Sequence, residues 1–208
     1  MNDFNLMLEK YFSKNDLKKI QTKTIGIAGL GGLGSNCAHY LVRSGFINFV
    51  LCDFDKVEPS NLNRQFYFYE QIGIQKTEAL KTNLLRINGG LNLKLFSYKI
   101  SETNAGEIFK DCDAVVEACD TVEAKKMLAE SFSRSGKLFV SASGLAGCGN
   151  SDNIKVNKIH DNFFIVGDAL SEASQNNPPL APRVNIAAAK QADIVLAWVL
   201  DILTTNML

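Results

Sequence analysis

The chain of 208 residues is 46% hydrophobic and 21% charged, so it can bury a sizeable core, and disordered and fibrous classes are excluded. Its 22 Lys and Arg balance its 22 Asp and Glu, so no global field favours a nucleic acid or an anionic membrane as a partner. The sequence contains no apolar run of the roughly 20 residues that span a bilayer. The N-terminus lacks a signal peptide's apolar region, and we therefore expect a cytoplasmic protein.

Five cysteines are spread along the chain without a CxxC pair or a Cys/His cluster. This spacing predicts neither a disulfide framework nor a zinc site. Cys148 stands between two glycines and is the thiol for which we expect access to solvent. His39 and His160 are expected to be structural.

The N-terminal part of the chain predicts a helical arm followed by a strand, a turn and a helix. Apolar residues recur among lysines over residues 1–22, as in one or two amphipathic helices. Residues 24–28 are typical of a short buried strand, 29–34 of a glycine-rich turn and 35–43 of a helix. A second buried strand is predicted over 47–53.

Beyond a long, partly polar loop over residues 54–74, helices and strands alternate. The predicted elements are helix 75–87, strand 93–98, helix 103–110, strand 114–118, helix 122–135 and strand 138–142. This alternation predicts an α/β, Rossmann-like fold with a mostly parallel, twisted sheet, because right-handed crossovers place helices on both faces. A loop as long as 54–74 is usually functional.

The C-terminal segment, residues 153–208, departs from the alternation. It comprises two β-like pieces over 154–158 and 163–166, a polar crossover loop over 167–182 and a closing helix over 183–203. That helix is apolar on all sides from Ile194 to Leu200, which places the stretch either in the core or at a subunit interface. We expect one domain over residues 1–208.

The glycine-rich turn carries the first chemical signal. Gly29, Gly31, Gly32 and Gly34 follow a strand and open a helix, so backbone N–H groups and the helix N-terminus can face a phosphate. Asp53 ends the second strand, where a carboxylate can accept hydrogen bonds from ribose hydroxyls. These residues fit NAD and ATP equally.

Polar and cationic residues after the second strand separate the two nucleotides. Asn61, Arg64 and Lys76 offer an amide, a guanidinium and an ammonium. A triphosphate under attack needs such cations more than a dinucleotide's pyrophosphate does. Asp120, which follows the predicted strand 114–118, is a candidate ligand for Mg²⁺. Plainer interpretations remain open: Arg64 as a surface arginine, Lys76 as part of a helix N-terminal turn and Asp120 as a helix cap.

The segments IAGLGGLGSN, DFDKVEPSNLNRQ, IGIQKTEAL and EACDT, in that order and spacing, resemble the ubiquitin-activating-type superfamily that includes the bacterial ThiF and MoeB adenylyltransferases. The stretches ASGLAGCGNSDNIK and NNPPLAPRVNIAAAKQAD are most similar to a short ThiF-type protein, a sulfur carrier adenylyltransferase of thiamine biosynthesis. The resemblance runs from about residue 20 to residue 203, and the loop NLNRQ is its specific motif.

The resemblance implies a single adenylating domain that uses ATP and Mg²⁺. Its substrate would be the C-terminal glycine carboxylate of a small ubiquitin-like sulfur carrier protein ending in Gly-Gly, and pyrophosphate would be released. The implied catalytic residues are Arg64, Lys76 and Asp120, with magnesium on Asp120. The implied nucleotide-binding residues are Gly29, Gly31, Gly32, Gly34, Asp53, Asp55, Asn61, Arg64, Gln65 and Lys76. From the residues alone, Asp55 is expected to be a structural hydrogen-bonding residue, although Asp55 in place of Asp120 as the metal ligand stays open.

Departures from the family pattern qualify these expectations. Larger members bind zinc through two CxxC pairs, which this sequence lacks, so no zinc is expected. Related homodimers insert an N-terminal arginine into the partner's site. A homodimer is expected here too, but the first arginine of the chain is Arg43, so Lys10, Lys14 or Lys18 substitutes or the feature is absent.

Two other classes of function stay open. The glycine turn and Asp53 alone would suit an NAD-dependent oxidoreductase. The other class is a related ATP user that adenylates another carrier or a modified tRNA base, or a binding protein that has lost catalysis; the net charge of zero argues mildly against nucleic acid. Arg183, beside Pro182, either binds the carrier's acidic face or caps the preceding loop.

Overall fold

The computed structural model of the protein describes residues 3–203, and within that range the chain forms one sheet covered by helices. The strands are β1 (Thr24–Ala28), β2 (Asn48–Cys52), β3 (Asn92–Phe96), β4 (Ala114–Glu117), β5 (Leu138–Ala142), β6 (Lys155–His160) and β7 (Phe163–Gly167). The helices are α1 (Asp3–Leu8), α2 (Lys14–Thr22), α3 (Gly32–Arg43), α4 (Lys76–Leu85), α5 (Ala105–Ile108), α6 (Val122–Phe132) and α7 (Ala181–Val199).

The strand order is β3-β2-β1-β4-β5-β7-β6. All neighbouring pairs are parallel except β6 and β7, which form an antiparallel hairpin at one edge. The predicted Rossmann-like α/β class is therefore confirmed. After β1 the chain builds outward to β2 and β3 and then returns to place β4 on the other side of β1, and this reversal opens a crevice at the carboxyl ends of the strands.

The central strands are mostly apolar and are buried because helices cover both of their faces. Every residue of β5 is buried, and β4 is buried throughout, including the carboxylate of Glu117. The edge strand β3 alternates exposed and partly buried residues. Glu117 thus places a charge inside the core. Because a buried charge is costly without a partner, it must be paired, and its partner is described with the cavity below.

Helix α3 begins at Gly32, three residues before the predicted start, so part of the glycine turn is already helical. A Cβ on Gly34 would lie 1.9 Å from the carbonyl oxygen of Gly29. Only glycine allows the helix to pass this close to the end of β1. Gly34 therefore serves the packing of α3 against the turn.

The predicted N-terminal arm packs against the domain over its described residues. Leu8, Leu17 and Ile20 are buried, and their side chains surround the position that a Cβ on Gly45 would occupy. Gly45, with a φ of +100°, follows the end of α3. Helices α1 and α2 are therefore part of the folded body, held by burial of their apolar stripe.

The sequence left the apolar stretch of the closing helix α7 either in the core or at a subunit interface, and its packing in the structure decides between the two. It packs on α3 and on β5, and Ile194, Val195, Ala197 and Val199 are buried. The stretch thus belongs to the core. The helix begins at Ala181, two residues before the prediction, because Pro182 suits the first turn, where its missing N–H is not needed. Among residues 3–203 the structure shows no helix long and apolar enough to cross a membrane.

His39, on α3, makes the contacts of a structural residue. Its ring stacks on that of Phe66 with centroids 4.4 Å apart, and its Nε2 accepts a hydrogen bond from Nε of Arg43 at 2.6 Å. Burial, together with the neighbouring Arg43 cation, lowers the pKa of His39 from 6.5 to about 4.

This lowered pKa makes stability depend on pH. As the pH falls below 6.5, the unfolded chain binds the proton before the folded chain does. The free energy of unfolding should therefore fall by on the order of 2 kcal/mol between about pH 6.5 and pH 4. His39→Phe keeps the stacking and removes the titration, so its loss over this window should be smaller in urea denaturation. Equal losses in the two proteins would contradict the assignment.

Candidate functional site

A cavity of about 510 Å³ lies at the carboxyl edge of the sheet, where the strand order reverses. The residues that follow β1, β2, β4 and β5 line it, together with the start of α4 and the first turns of α6 and α7. Parallel strands bring their carboxyl ends to one edge, which is why residues far apart in sequence meet here. This is the position at which open α/β sheets bind ligands.

The glycine turn forms one wall of the cavity. Gly29, Gly31 and Gly32 line it, and Gly29 has a φ of +89°, which favours glycine. Gly31 is the N-cap of α3, and no side chain caps this end of the helix. The first amides of α3 are therefore available to an anion. Gly34 is not among the lining residues; it lies behind the turn.

Asp53 holds the turn in place. Its Oδ2 accepts a hydrogen bond from the amide of Leu30 at 2.6 Å, and its Oδ1 accepts one from the amide of Asp55 at 2.8 Å. Burial raises the pKa of Asp53 above its usual value, and the Lys76 ammonium and these two amides oppose the rise. Asp53 also lines the cavity, so lone pairs of its carboxylate remain for hydroxyl groups.

Lys76 is the buried cation of the site. Its side chain is 7% exposed, and Nζ lies 2.8 Å from Oδ2 of Asp55, which is 46% exposed. Both residues line the cavity. Asp55 therefore supports Lys76, as the sequence favoured, and the ammonium is held at the cavity instead of lying free at the N-terminus of α4.

Arg64 reaches the glycine turn from the loop between β2 and α4. Its Cγ and Cδ would lie 3.4 and 3.6 Å from a Cβ on Gly32. Its guanidinium NH1 donates to the carbonyl oxygen of Ser60 at 3.1 Å and to Oδ1 of Asn63 at 2.7 Å. The loop is anchored because Nδ2 of Asn36, on α3, donates to the carbonyl oxygen of Arg64 at 2.9 Å.

The two amides of the motif occupy different places. Gln65 lines the cavity, and its Oε1 is buried without a hydrogen-bond partner. Asn61 is buried but is not among the lining residues: its Oδ1 accepts the amide of Glu58 at 3.1 Å and caps a short 3₁₀ turn. Asn61 thus shapes the loop that carries Arg64, whereas Gln65 presents an unsatisfied acceptor.

Asp120 is exposed and lines the cavity just after β4. The cap of α6 is Thr121, whose hydroxyl accepts the amide of Ala124 at 3.3 Å. The interpretation of Asp120 as the cap is therefore wrong. Its carboxylate remains available to a ligand of the cavity.

Sequence reasoning missed a buried ion pair beside Asp120. Glu117 is fully buried, and its Oε2 lies 3.1 Å from Nζ of Lys125, which also donates to the carbonyl oxygen of Ala142 at 2.9 Å. Ser141 Oγ also donates to Glu117. Lys125 is 26% exposed and lines the cavity, as does Lys99, so both add to the cations of Arg64 and Lys76 at this site. A carboxylate inside the otherwise apolar strand AVVEA was the signal, because such a charge needs a partner.

Glu117→Ala should lower the free energy of unfolding by about 3 kcal/mol, because it removes one member of a buried, hydrogen-bonded pair. Glu130→Ala is the matched control, since Glu130 forms only an exposed pair with Lys126 on the same helix as Lys125. Urea denaturation measures both. If the two variants are equally stable, the ion pair does not stabilise this edge of the sheet.

Fold and cavity together define a Rossmann-type α/β protein whose glycine turn and cations share one crevice. The chain belongs to the ThiF family, whose model matches residues 3–205. The resemblance found in the motifs is thereby confirmed.

Curated relatives carry related names. The chain is 30% identical over 183 residues to ubiquitin-like modifier-activating enzyme 5 of Gallus gallus. The aligned region covers 82% of this chain and 44% of the relative. It is 34% identical over 128 residues to adenylyltransferase and sulfurtransferase MOCS3 of Drosophila virilis, covering 61% of this chain and 28% of the relative. The chain thus spans less than half the length of these relatives.

Solved structures share the fold. The E. coli tRNA N6-threonylcarbamoyladenosine dehydratase TcdA in complex with AMP superposes with a TM-score of 0.84 at 18% identity, over 94% of this chain and 93% of that one. E. coli MccB with ATP superposes with a TM-score of 0.72 at 22% identity, over 93% of this chain and 61% of that one. At these identities the likeness concerns the fold alone.

Proposed function

We propose that the chain is an ATP-dependent adenylyltransferase acting on the C-terminal glycine carboxylate of a small ubiquitin-like, ThiS-like sulfur carrier protein in thiamine biosynthesis. The observation that carries the proposal is the meeting of Arg64, Lys76 and Asp120 with the glycine turn on one cavity. Two cations and a helix N-terminus suit a triphosphate, and an exposed carboxylate suits its metal ion. Membership of the ThiF family supports the same activity.

The reaction follows from charge and position. The carrier's carboxylate is ionised at neutral pH, so no general base is needed. One carboxylate oxygen attacks the α-phosphorus, a new O–P bond forms, and the bond from the α-phosphorus to the bridging oxygen breaks. Pyrophosphate leaves with that electron pair. Arg64 and Lys76 stabilise the charge that develops on the phosphate oxygens, and the cavity walls orient the reactants.

The remaining residues bind the nucleotide. The Asp53 carboxylate accepts hydrogen bonds from the ribose hydroxyls through the lone pairs that do not bind the amides of Leu30 and Asp55. The amides of the glycine turn bind phosphate oxygens. Gln65 places its unpartnered Oε1 near the same turn, where a hydroxyl or a water can donate to it.

The residues also fit a magnesium ion that accompanies the nucleotide. Residues 3–203 contain no group of three or more His, Cys, Asp or Glu side chains that could hold a metal by themselves. Mg²⁺ bound with a nucleotide needs only one or two carboxylates, since phosphates and water supply the other ligands. Asp120 would hold it, and the ion would neutralise phosphate charge when bound.

A homodimer is part of the proposal. Lys10, in the turn after α1, and Lys14 and Lys18, on α2, are exposed and are the candidates for a cation given to the partner's site. Sedimentation of the purified protein tests the dimer. A second test mixes Lys76→Met chains with chains in which Lys10, Lys14 and Lys18 are all changed to alanine. If each variant is inactive by itself and the mixture is active, the site is shared between two chains.

The test of function is exchange of labelled pyrophosphate into ATP. Exchange should require a ThiS-type carrier ending in Gly-Gly and should disappear with the same carrier lacking its two glycines. The accompanying product is carrier–AMP, identified by the mass of the intact protein. Binding of NAD without ATP, or exchange that ignores the carrier, would contradict the proposal.

A modified tRNA base is the second candidate substrate, because TcdA matches nearly the whole chain in fold. ATP hydrolysis stimulated by tRNA, with none by the carrier, would favour it. The carrier is preferred because ubiquitin-like modifier-activating enzyme 5 and MOCS3 are relatives in sequence and TcdA is similar in fold.

A further inference from the structure

Two loops form a further wall of the cavity. We call them the rim: residues 143–150, which follow β5, and residues 168–180, which follow β7. The rim residues that line the cavity are Ser143, Gly144, Leu145, Ala146, Ser171, Ala173 and Pro179, all small or uncharged. Such a wall suits a glycine tail better than a polyphosphate, whose charge needs cations.

Arg183 joins the two halves of the rim. It is 4% exposed and stands in the first turn of α7. Its NH1 donates to the carbonyl oxygens of Gly149 at 2.8 Å and Asn150 at 3.2 Å, in the first loop. Its NH2 donates to Oδ2 of Asp168, in the second loop. One planar guanidinium therefore ties both loops to the helix.

Asp168 extends the same connection. Its Oδ1 accepts the amides of Leu170 at 2.9 Å and Ser171 at 2.8 Å, which folds the second loop back on itself. Burial alone would raise the pKa of Asp168, but the bonds from these amides, from the Ser171 hydroxyl and from Arg183 lower it to about 2. The carboxylate is thus charged against Arg183 at neutral pH.

Beyond these side chains, backbone bonds hold the loops together. The amide of Gly147 donates to Pro178 at 3.0 Å, and that of Asp168 donates to Gly144 at 3.1 Å. A Cβ on Gly144 would lie 2.1 Å from Oδ1 of Asp168, so the loops touch closely. Arg183 therefore acts together with these backbone bonds in ordering the rim.

The residue after Arg183 reaches the glycine turn. Cγ1 of Val184 would lie 2.8 Å from a Cβ on Gly32. Two consecutive residues of α7 therefore contact the rim and the phosphate wall, so the helix sets the distance between the two reacting groups.

From this geometry we propose that Arg183 is a positioning residue, which fixes the rim so that the carrier's carboxylate meets the nucleotide, and which touches neither substrate. The inference rests on the proposed function for the identity of the second substrate. Loss of Arg183 should then impair use of the carrier while leaving ATP binding intact. The sequence left two roles open for Arg183. The proposal selects the contact with the preceding loop and not the binding of the carrier's acidic face.

Arg183→Ala and Arg183→Lys test the proposal, with Arg134→Ala as the control because Arg134 is exposed in the turn after α6 and does not line the cavity. In pyrophosphate exchange the KM for a ThiS-type carrier should rise at least about tenfold in Arg183→Ala, and the KM for ATP should change less than about twofold. Arg183→Lys should be intermediate, since an ammonium keeps the charge and loses the fork. Equal rises of the KM for the carrier and the KM for ATP in Arg183→Ala would overturn the proposal.

Hydrogen exchange gives a readout that needs no carrier. The amides of Gly147, Asp168 and Ala169 should exchange about tenfold faster in Arg183→Ala than in the wild type, while those of β1 and β4 should not change. Unchanged protection of the rim would overturn the proposal even if the carrier proved to be the wrong substrate. If the wild type does not use the carrier, the proposed function is refuted. If the Arg183→Ala variant nevertheless loses protection of the rim, the positioning role of Arg183 is supported. Should Arg183→Ala not fold, Asp168→Asn removes the same ion pair and is expected to show the same pattern.

Discussion

Arg64→Ala is expected to abolish pyrophosphate exchange, lowering kcat at least about 1,000-fold. The Cγ and Cδ atoms of Arg64 lie beside Gly32 at the cavity, and the two hydrogen bonds of its guanidinium go to neutral oxygens of Ser60 and Asn63. Several of its N–H groups therefore remain for phosphate oxygens. An alanine leaves the developing charge on the phosphates without this donor.

The controls separate charge from shape and from folding. Arg64→Lys keeps a cation without the bidentate fork and should retain a small part of the activity. The midpoint of thermal unfolding should hardly move in either variant, because Arg64 is only partly buried. Normal exchange by a folded Arg64→Ala protein would refute the assignment of this arginine, and with it the observation that carries the proposed function.

Lys76→Met is expected to lower kcat/KM for ATP by about 100-fold to 1,000-fold, because it removes the buried ammonium from the cavity. Methionine occupies a similar volume, and at residue 76 the Tyr67 hydroxyl contacts only the backbone carbonyl oxygen, at 3.4 Å, so the local packing should persist. Asp55, being 46% exposed, can return to water when its partner is lost. A loss of activity without a loss of stability should result.

Asp55→Asn is the matched control for Lys76. It breaks the ion pair and leaves the ammonium at the cavity, so exchange should fall less than about tenfold. Isothermal titration with a non-hydrolysable ATP analogue measures binding in both variants. If Asp55→Asn loses as much affinity as Lys76→Met, the pair acts as a structural unit and Lys76 is not a phosphate ligand.

The sequence predicted the elements that depend on local patterns. Buried strands such as β4 and β5 are mostly apolar, and the helices between them follow from periodicity and capping residues. Boundaries were less accurate where tertiary contacts decide them. Helix α5 is limited to Ala105–Ile108 and ends at Phe109, whose side chain is fully buried in the core, and α3 starts inside the glycine turn with Gly31 as its N-cap.

For the site, motifs identified the groups but not their partners. Arg64, Lys76, Asp53 and Asp120 all line the cavity, as their positions after the strands predicted. Asn61 instead caps its own loop, a contact that the NLNRQ motif does not reveal. Lys125 went unnoticed because a lysine within a helix usually points to solvent, and its carboxylate partner lies on another element.

By itself the sequence determined the class of fold, the glycine turn and the set of charged residues available for chemistry, since these depend on spacing within short segments. The tertiary structure alone decided that Asp55 supports Lys76, that Thr121 caps α6 in place of Asp120, and that Arg183 ties together the two loops of the rim. The physical reason is that these interactions join side chains from different strands and loops. Such contacts exist only after burial has brought the carboxyl ends of the sheet together.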